Sequence, residues 1–250
     1  MGFWPITKRV VKDSDIILLI LDARVPELSR NKELERIVEY HHKKMIYVLN
    51  KADIVSFKYL DYIKRKYPDA FFVSGTLNIG INDLKKNLLI LAKKMKIKNL
   101  KIGVVGYPNV GKSAIINALA KRAKARVSKR AGTTRGIQWI RAGSLFILDS
   151  PGVVPFSDSE ADLGVLGAKN PEKLRNVEAV ALEIVKIFIE YDKKILENLY
   201  GIKTENLNDL GEVLEEIGKK KGFLLKGGVV DNHRAALFVI RDWQKGKLRL

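Results

Sequence analysis

Apolar residues in the first 150 positions form short continuous runs bounded by charged or turn-forming residues. The clearest run, Ile16–Asp22, has six apolar residues and ends in an acid. Such a run is typical of a strand that is covered on both faces, as in a parallel sheet. The same reasoning predicts five further strands, at residues 45–49, 70–73, 101–105, 137–141 and 145–148.

The segments between these strands carry apolar residues at helical spacing. They predict helices at residues 31–40, 58–66, 81–95 and 112–120. Strands that alternate with helices indicate a doubly wound α/β domain with a mostly parallel sheet. Only a turn at Ala142-Gly143 separates the last two strands, so we expect them to form an antiparallel edge.

The pattern changes after about residue 155. Small residues at 164–168 predict a loop, and only helical spacing follows, at residues 172–191, 206–220 and 229–245. We therefore expect an α/β domain over residues 1–168 and a small all-helical domain over residues 169–250.

Charge adds a partner class to this picture. The 250 residues carry a formal net charge of +18. Residues 85–101 include seven lysines, and residues 121–135 contain no acid but seven basic residues, namely Lys121, Arg122, Lys124, Arg126, Lys129, Arg130 and Arg135. This excess favours a polyanionic partner, with nucleic acid ahead of an anionic membrane. The alternative interpretation is a solvated surface that serves solubility.

Other classes are excluded by composition. The chain has no cysteine, which rules out disulfides, thiolate catalysis and zinc–thiolate sites. No apolar run reaches the roughly 18 residues of a membrane span, and the N-terminus lacks the features of a secretory signal. We expect a cytoplasmic protein without a membrane partner.

A phosphate-binding loop is predicted at Gly106-x-x-x-x-Gly111-Lys112-Ser113, between a strand and a helix. Backbone N–H groups and the helix N-terminus would hold phosphates. Lys112 would neutralise the β- and γ-phosphates and Ser113 would ligate Mg²⁺. The candidate contacts in this loop are Asn109, Val110, Gly111, Lys112, Ser113 and Ala114.

A base-reading loop is predicted at Asn50-Lys51-Ala52-Asp53, after the strand at 45–49. The Asp53 carboxylate can accept hydrogen bonds from guanine N1–H and its 2-amino group, whereas adenine offers no such pair. Lys51 could cover the base, and Asn50 could connect this loop to the phosphate loop. Ser74 and Gly75, after the next strand, could add a backbone N–H to guanine O6. Guanine nucleotides, GTP and GDP, are therefore the expected ligands.

Two further segments complete the candidate site. Asp149-x-x-Gly152 follows a strand, so Asp149 could hold Mg²⁺ through water while the Gly152 N–H meets the γ-phosphate. Between the motifs lies Gly132-Thr133-Thr134-Arg135-Gly136, from which Thr134, with Thr133 as the alternative, could complete the Mg²⁺ shell. Lys112, Thr134 and Gly152 are the candidate catalytic residues.

The order of these motifs is unusual, because the base-reading loop precedes the phosphate loop. In this order, and in the segments 22–26, 29–31 and 227–231, the chain resembles the circularly permuted GTPases of the YlqF/RbgA ribosome-assembly type. The resemblance implies a Ras-like domain permuted at the second switch, a helical C-terminal domain and binding to ribosomal RNA or a ribosomal subunit. It also implies RNA binding by the helical domain.

Two positions depart from the pattern of related enzymes. Thr7 stands where the family has a histidine implicated in hydrolysis, and we assign no catalytic role to His41, His42 or His233. Val153 follows Gly152, where many Ras-like enzymes have a water-orienting glutamine. Hydrolysis would then depend on another group, a partner or K⁺, for which Asn109 matches the ligand of potassium-activated relatives. The alternative for Asn109 is a plain loop hydrogen bond.

We therefore predict a monomeric GTP-hydrolysing switch with a slow intrinsic rate, which RNA or the ribosome and K⁺ would stimulate. Two alternatives remain open. One is a GTPase that acts on another structured RNA, and the other is an RNA-binding module with a slow or vestigial nucleotide site.

Overall fold

A six-stranded sheet forms the centre of the first part of the chain. The structure, a computed structural model, describes residues 3–121, 139–155, 158–205 and 209–250. By its internal contacts the chain divides into two units, residues 1–156 and residues 157–250.

The strands of the first unit are β1 (Ile16–Asp22), β2 (Lys44–Asn50), β3 (Phe71–Phe72), β4 (Leu100–Gly106), β5 (Trp139–Ala142) and β6 (Leu145–Asp149). They lie in the order β3-β2-β1-β4-β6-β5. All neighbours pair in parallel except β5 and β6, which form the predicted antiparallel edge. Every residue of β1 is buried, which explains its uninterrupted apolar run. The α/β fold class with a mostly parallel sheet is confirmed.

Helices cover both faces of this sheet. They are α1 (Trp4–Asp13), α2 (Lys32–Tyr40), α3 (Phe57–Lys66), α4 (Ile81–Lys94) and α5 (Lys112–Lys121). One apolar cluster joins α1, α2 and α3 to alternate residues of β1, including Ile17, Leu19 and Leu21. Helix α5 contacts β4 and β6, and α4 packs beside α5. Side-chain oxygens cap two helices, Asn31 at α2 and Ser56 at α3.

Helix α1 was not predicted. It buries Thr7, Val10 and Val11, and Pro5 occupies its first turn. Three small side chains on one face make a short and weak apolar stripe. Pro5 was the available signal, because proline is favoured at the start of a helix.

The second unit is helical, as expected. Its helices are α6 (Glu160–Val165), α7 (Val177–Asp192), α8 (Lys194–Tyr200), α9 (Leu210–Lys220) and α10 (Asn232–Gln244). Helix α7 packs on α6, α9 and α10. The Phe188 and Trp243 rings meet edge to face at 5.8 Å between centroids, and the indole N–H of Trp243 donates to the Val165 carbonyl.

Local predictions in this unit need correction. The loop expected at 164–168 begins inside α6, because Gly164 packs against the Val180 side chain. The helix expected from residue 172 starts at Val177, after a short 3-10 turn at Pro171–Lys173 and the cap of Asn176. Helix α8 was not predicted.

The position of the boundary also differs. The sequence predicts a division after residue 168, whereas internal contacts place the division between residues 156 and 157. The reason is α6, which packs on α7 and thus on the helices that follow it.

Candidate functional site

The predicted motifs that lie within the described ranges follow strands of the parallel sheet. Parallel strands end at one edge, and ligands of α/β proteins bind there. The loops after β1, β2, β3, β4 and β6 therefore lie at the same edge.

The phosphate loop is shaped by three left-handed positions. Gly106, Asn109 and Gly111 have φ values of 147°, 61° and 96°. The loop wraps around the Lys112 ammonium, which donates to the carbonyl oxygens of Gly106 at 3.2 Å and Tyr107 at 2.6 Å. Burial lowers the pKa of Lys112 to about 8, although the Asp149 carboxylate acts in the opposite direction. This ammonium is therefore desolvated and lies where it can meet an anion.

Asn50 joins three loops of the site. Its Nδ2 donates to the Val110 carbonyl at 2.8 Å, and its Oδ1 accepts from the Gly75 N–H at 3.0 Å. A Cβ atom on Gly111 would lie 2.1 Å from Nδ2, so a glycine is needed there. A Cβ on Gly75 would lie 3.0 Å from the Cβ of Ala114 in the first turn of α5. The loop after β3 is thus packed directly against the phosphate loop.

Asp149 and Ser113 form the part of the site that suits a hard cation. The Ser113 hydroxyl donates to Asp149 Oδ2 at 3.3 Å. The other carboxylate oxygen, Oδ1, is buried without a hydrogen-bond partner. Burial raises the pKa of Asp149 above its ordinary value, against the opposing effect of Lys112. An orphaned carboxylate oxygen beside a hydroxyl fits the oxygen preference of Mg²⁺.

The segment after β6 touches the phosphate loop closely. A Cβ on Gly152 would lie 2.5 Å from the backbone nitrogen of Pro108, so only glycine fits. Val153 is 2% exposed and packs in the apolar cluster with Val105 and Leu148. Its carbonyl accepts from Asn31 Nδ2 at 3.5 Å. The side chain at position 153 therefore faces the core and has no polar atom to orient water.

The base-reading loop turns at Lys51, whose backbone is left-handed with φ 66°. A 3-10 turn, Ala52–Ile54, carries Asp53, which is partly exposed. The Lys51 ammonium lies 2.7 Å from Asp22 Oδ2. Burial lowers the pKa of Lys51, while the Asp22 carboxylate raises it. The side chain is thus anchored at its end and is partly exposed.

Asp22 and Arg24 are site residues to which the sequence assigned no role. Both are buried, and Arg24 reaches the Asp22 carboxylate through Nε at 3.0 Å and a terminal nitrogen at 2.7 Å. Burial alone would raise the pKa of Asp22, but the charges of Arg24 and Lys51 lower it well below the usual value. The available signal was an acid that ends a fully apolar strand, followed two residues later by arginine.

Other candidates lie elsewhere or outside the described residues. Thr133 and Thr134 fall outside the described ranges, so the structure does not place them. Asn109 is exposed on the phosphate loop. Thr7 is buried in α1, where its hydroxyl donates to the Phe3 carbonyl at 3.2 Å. His41 and His42 follow α2, and His233 lies in α10.

The described residues contain neither a cluster of metal ligands nor a membrane-spanning helix. Among them, no three histidine, aspartate or glutamate side chains are grouped to hold a metal ion. No helix in the described ranges is both long and apolar enough to cross a membrane.

A family model described as 50S ribosome-binding GTPase matches residues 101–225. An uncharacterized GTP-binding protein of Methanocaldococcus jannaschii is 41% identical over 245 residues, which are 97% of this chain and 65% of that protein. Nucleolar GTP-binding protein 2 of Schizosaccharomyces pombe is 35% identical over 256 residues, which are 98% of this chain and 47% of that protein. The chain thus spans about half to two thirds of these relatives.

Two solved structures of YlqF from T. maritima are similar over nearly the whole chain. The GDP-bound structure has a TM-score of 0.63 and 26% identity, and covers 97% of this chain and 95% of that one. The GNP-bound structure has a TM-score of 0.59 and 27% identity, with coverage of 97% and 94%.

Proposed function

The chain belongs to the family of 50S ribosome-binding GTPases and has the circularly permuted arrangement of YlqF, and on this premise we propose that it is a GTP-hydrolysing switch. In this proposal it binds ribosomal RNA or a ribosomal subunit during ribosome assembly. GTP binding and hydrolysis, the RNA partner and the assembly role are all parts of the proposal.

The observation that carries the proposal is the Asn50 amide. It connects the base-reading loop to the phosphate loop and to Gly75. A ligand that spans these loops must offer a base at one end and phosphates at the other. The Asp53 carboxylate suits guanine and Lys112 suits the phosphates, so a guanine nucleotide fits both ends.

The chain's own groups account for binding and for part of the chemistry. Backbone N–H groups of the phosphate loop and the N-terminus of α5 hold the phosphates. Lys112 leaves the carbonyls of Gly106 and Tyr107 to neutralise phosphate charge. The Gly152 N–H lies next to the phosphate loop and can sense the γ-phosphate. Thr134 is proposed to join the site when the γ-phosphate is present.

Magnesium would be held by Ser113 directly and by Asp149 through water. When bound, Mg²⁺ neutralises charge on the β- and γ-phosphates. The orphaned Asp149 Oδ1 is the feature of this chain that such a hydrated cation would satisfy.

A slow intrinsic rate follows from Val153, because its buried side chain cannot orient the attacking water. We propose a rate of about 10⁻⁴–10⁻² s⁻¹ for the protein alone, as in GTPases that lack an external activator. Stimulation by K⁺, held at Asn109, and by RNA belongs to the same proposal.

The RNA partner is supported by charge and by the relatives. The net charge is +18, and the matched family is described as ribosome-binding. On this basis, the second unit and the basic segments at 85–101 and 121–135 are the proposed contact surfaces.

The test is single-turnover GTP hydrolysis with and without purified large ribosomal subunits, in K⁺ and in Na⁺. We expect slow turnover alone, acceleration by subunits, and greater acceleration in K⁺. Lys112→Ala is the matched control and should weaken nucleotide binding strongly and slow hydrolysis. Rates that neither subunits nor structured RNA change would contradict the switch. Acceleration by unrelated structured RNA alone would favour the alternative RNA target.

A further inference from the structure

The base-reading loop is joined to a buried ion cluster, of which two members have no part in the function described so far. The cluster comprises Asp22 at the end of β1, Arg24 two residues later, and Lys51 in the base-reading loop. Asp22 is 0% exposed and Arg24 is 2% exposed, so this pair is removed from solvent. Buried ion pairs contribute little to stability on balance, which makes another role worth testing.

The Asp22 carboxylate is fully occupied by donors. Oδ1 accepts from the backbone N–H of Arg24 at 3.1 Å and from its Nε at 3.0 Å. Oδ2 accepts from the other guanidinium nitrogen and from the Lys51 ammonium, both at 2.7 Å. The two-pronged contact with Arg24 fixes the carboxylate plane, and the fixed carboxylate in turn fixes the position of the Lys51 ammonium.

Neighbouring elements hold the cluster in place. The Asp22 N–H donates to the Ser29 hydroxyl at 2.9 Å, and the Tyr59 hydroxyl of α3 donates to the Arg24 carbonyl at 2.7 Å. The Ala23 N–H donates to the Asn50 carbonyl at 2.8 Å. The cluster is therefore attached to β1, to α3 and to the start of the base-reading loop.

Lys51 is the residue through which the cluster reaches the site. Its backbone is left-handed, at φ 66°, a conformation that is unfavourable for a residue other than glycine. The turn at Lys51 directs the chain into the 3-10 turn that presents Asp53. An ion pair at the end of the Lys51 side chain holds this otherwise unfavourable turn.

We propose that Asp22 and Arg24 are positioning residues for guanine recognition, which hold Lys51 so that the loop presents Asp53 to the base before any nucleotide binds. This inference rests on the proposed function, because it deepens the role of the same base-reading loop. Neither residue touches the nucleotide in this proposal.

The test compares two ligands that differ only in the group that Asp53 reads. Inosine diphosphate lacks the 2-amino group of GDP but keeps the N1–H, the ribose and both phosphates. Loss of one hydrogen bond to a charged acceptor weakens binding by a factor of about 10 or more. We take the dissociation constant of inosine diphosphate divided by that of GDP, both measured by calorimetry on the full chain. This ratio therefore reports how well Asp53 is positioned.

We expect Asp22→Asn to lower this ratio by about twofold or more, since residues in one ion-pair network are coupled by at least that amount. Arg24→Lys keeps the charge but loses the two-pronged contact, and should lower the ratio in the same direction. Asp15→Asn is the matched control. Asp15 lies just before β1, at its opposite end, where its carboxylate accepts from the Lys101 N–H, so the ratio should not change.

A purely structural role gives a different result. It would weaken GDP and inosine diphosphate equally and lower the melting temperature, with the ratio unchanged, and this would overturn the inference. If Asp22→Asn does not fold, the ratio for Arg24→Lys decides. If the wild type binds GDP and hydrolyses GTP, and both variants have the wild-type ratio, the inference is refuted while the proposed function stands. A wild-type ratio near one refutes guanine reading by Asp53 and this inference with it.

Discussion

At the scale of single residues, Lys112 and Asp149 share one property. Burial disfavours the charged form of each, so the pKa of Lys112 falls to about 8 and that of Asp149 rises. Their mutual attraction only partly offsets this cost. On the proposed function, a ligand that brings phosphate to Lys112 and a divalent cation to Asp149 would offset both costs.

The first prediction concerns pH. In the nucleotide-free protein Lys112 loses its proton near pH 8, whereas a bound phosphate should keep it protonated. GDP affinity should therefore fall as pH rises from 7 to 9, by up to about tenfold per pH unit above 8. Calorimetry across this range measures the effect. Any GDP affinity that Lys112→Met retains should be lower at every pH and should not change with pH. A wild-type affinity that also does not change with pH contradicts the assignment.

The same shift has a consequence for stability. The folded pKa of Lys112 lies below its unfolded value of 10.5, so the unfolded chain holds more protons between pH 8 and 10.5. The contribution of Lys112 to the free energy of unfolding therefore rises with pH in this window. Denaturation of the nucleotide-free wild type and of Lys112→Met gives the free energy of unfolding of each at pH 7.5 and 9.5. The wild-type value minus the variant value should be larger at pH 9.5.

Val153 supplies the second residue-scale prediction. Val153→Gln would place an amide in the apolar cluster, and we expect a loss of about 1–3 kcal/mol in the free energy of unfolding. The GTPase rate should not rise, because this side chain faces the core. Val229→Gln is the control, since Val229 is 63% exposed and its replacement should cost less than about 0.5 kcal/mol. Faster hydrolysis by Val153→Gln would show that residue 153 can reach the site.

At the scale of elements, the site depends on how loops from different strands are joined. The Asn50 side chain connects the end of β2 to the phosphate loop and to the loop after β3. Each of these loops directly follows a strand of the sheet, so we expect this one amide to set their spacing.

Asn50→Ala tests this connection. It leaves the Gly75 N–H and the Val110 carbonyl without their partner, so we expect a loss of about 2–4 kcal/mol in unfolding free energy. GDP affinity should also fall by about tenfold or more. Asn82→Ala on the exposed face of α4 serves as the control for an asparagine with no such role. Unaltered GDP affinity in Asn50→Ala would show that the loops hold their spacing without it.

The strands were predicted from the sequence more accurately than some of the helices. Buried strands such as β1 were predicted to within a residue or two, because covered strands leave continuous apolar runs. Helix α1 was missed because its buried face is made of only Thr7, Val10 and Val11. The break before α7 was missed because it depends on Asn176 as a cap, and one capping residue inside a helical pattern is a weak signal.

In the site, the motifs located the loops and one contact between them, that of Asn50 with the phosphate loop. The roles of Asp22 and Arg24 could not be predicted, since their pairing with Lys51 joins segments 29 positions apart. The sequence also could not show whether the Val153 side chain faces solvent or the core. This direction depends on the packing of the segment after β6 against α1, α2 and α3, which no local pattern encodes.

At the scale of the whole molecule, charge and connectivity decide the behaviour. A net charge of +18 makes attraction to a polyanion the long-range property of the chain. Contacts of this kind are made to phosphates and are sensitive to salt.

The corresponding prediction is a steep salt dependence of RNA binding. The logarithm of the affinity should fall by about 0.7 per logarithmic unit of salt for each phosphate neutralised on single-stranded RNA. Lys93→Gln combined with Lys94→Gln, two exposed positions of α4, should reduce the slope by about 1.4 if both contact phosphates. Fluorescence titration at several salt concentrations measures the slope. A slope near zero in the wild type would exclude the basic segments as the contact surface.

Finally, the close fit of Gly152 against Pro108 has a thermodynamic consequence, because the chain enters the second unit only five residues later, at residue 157. If a γ-phosphate moves Gly152, only five positions of the sequence separate the displaced residue from the start of the second unit. Linkage then requires equality: the factor by which GTP rather than GDP changes the affinity for RNA is the factor by which RNA changes the preference for GTP over GDP. The coupling free energy can then be measured twice, once from RNA affinity in GTP and in GDP, and once from nucleotide preference with and without RNA.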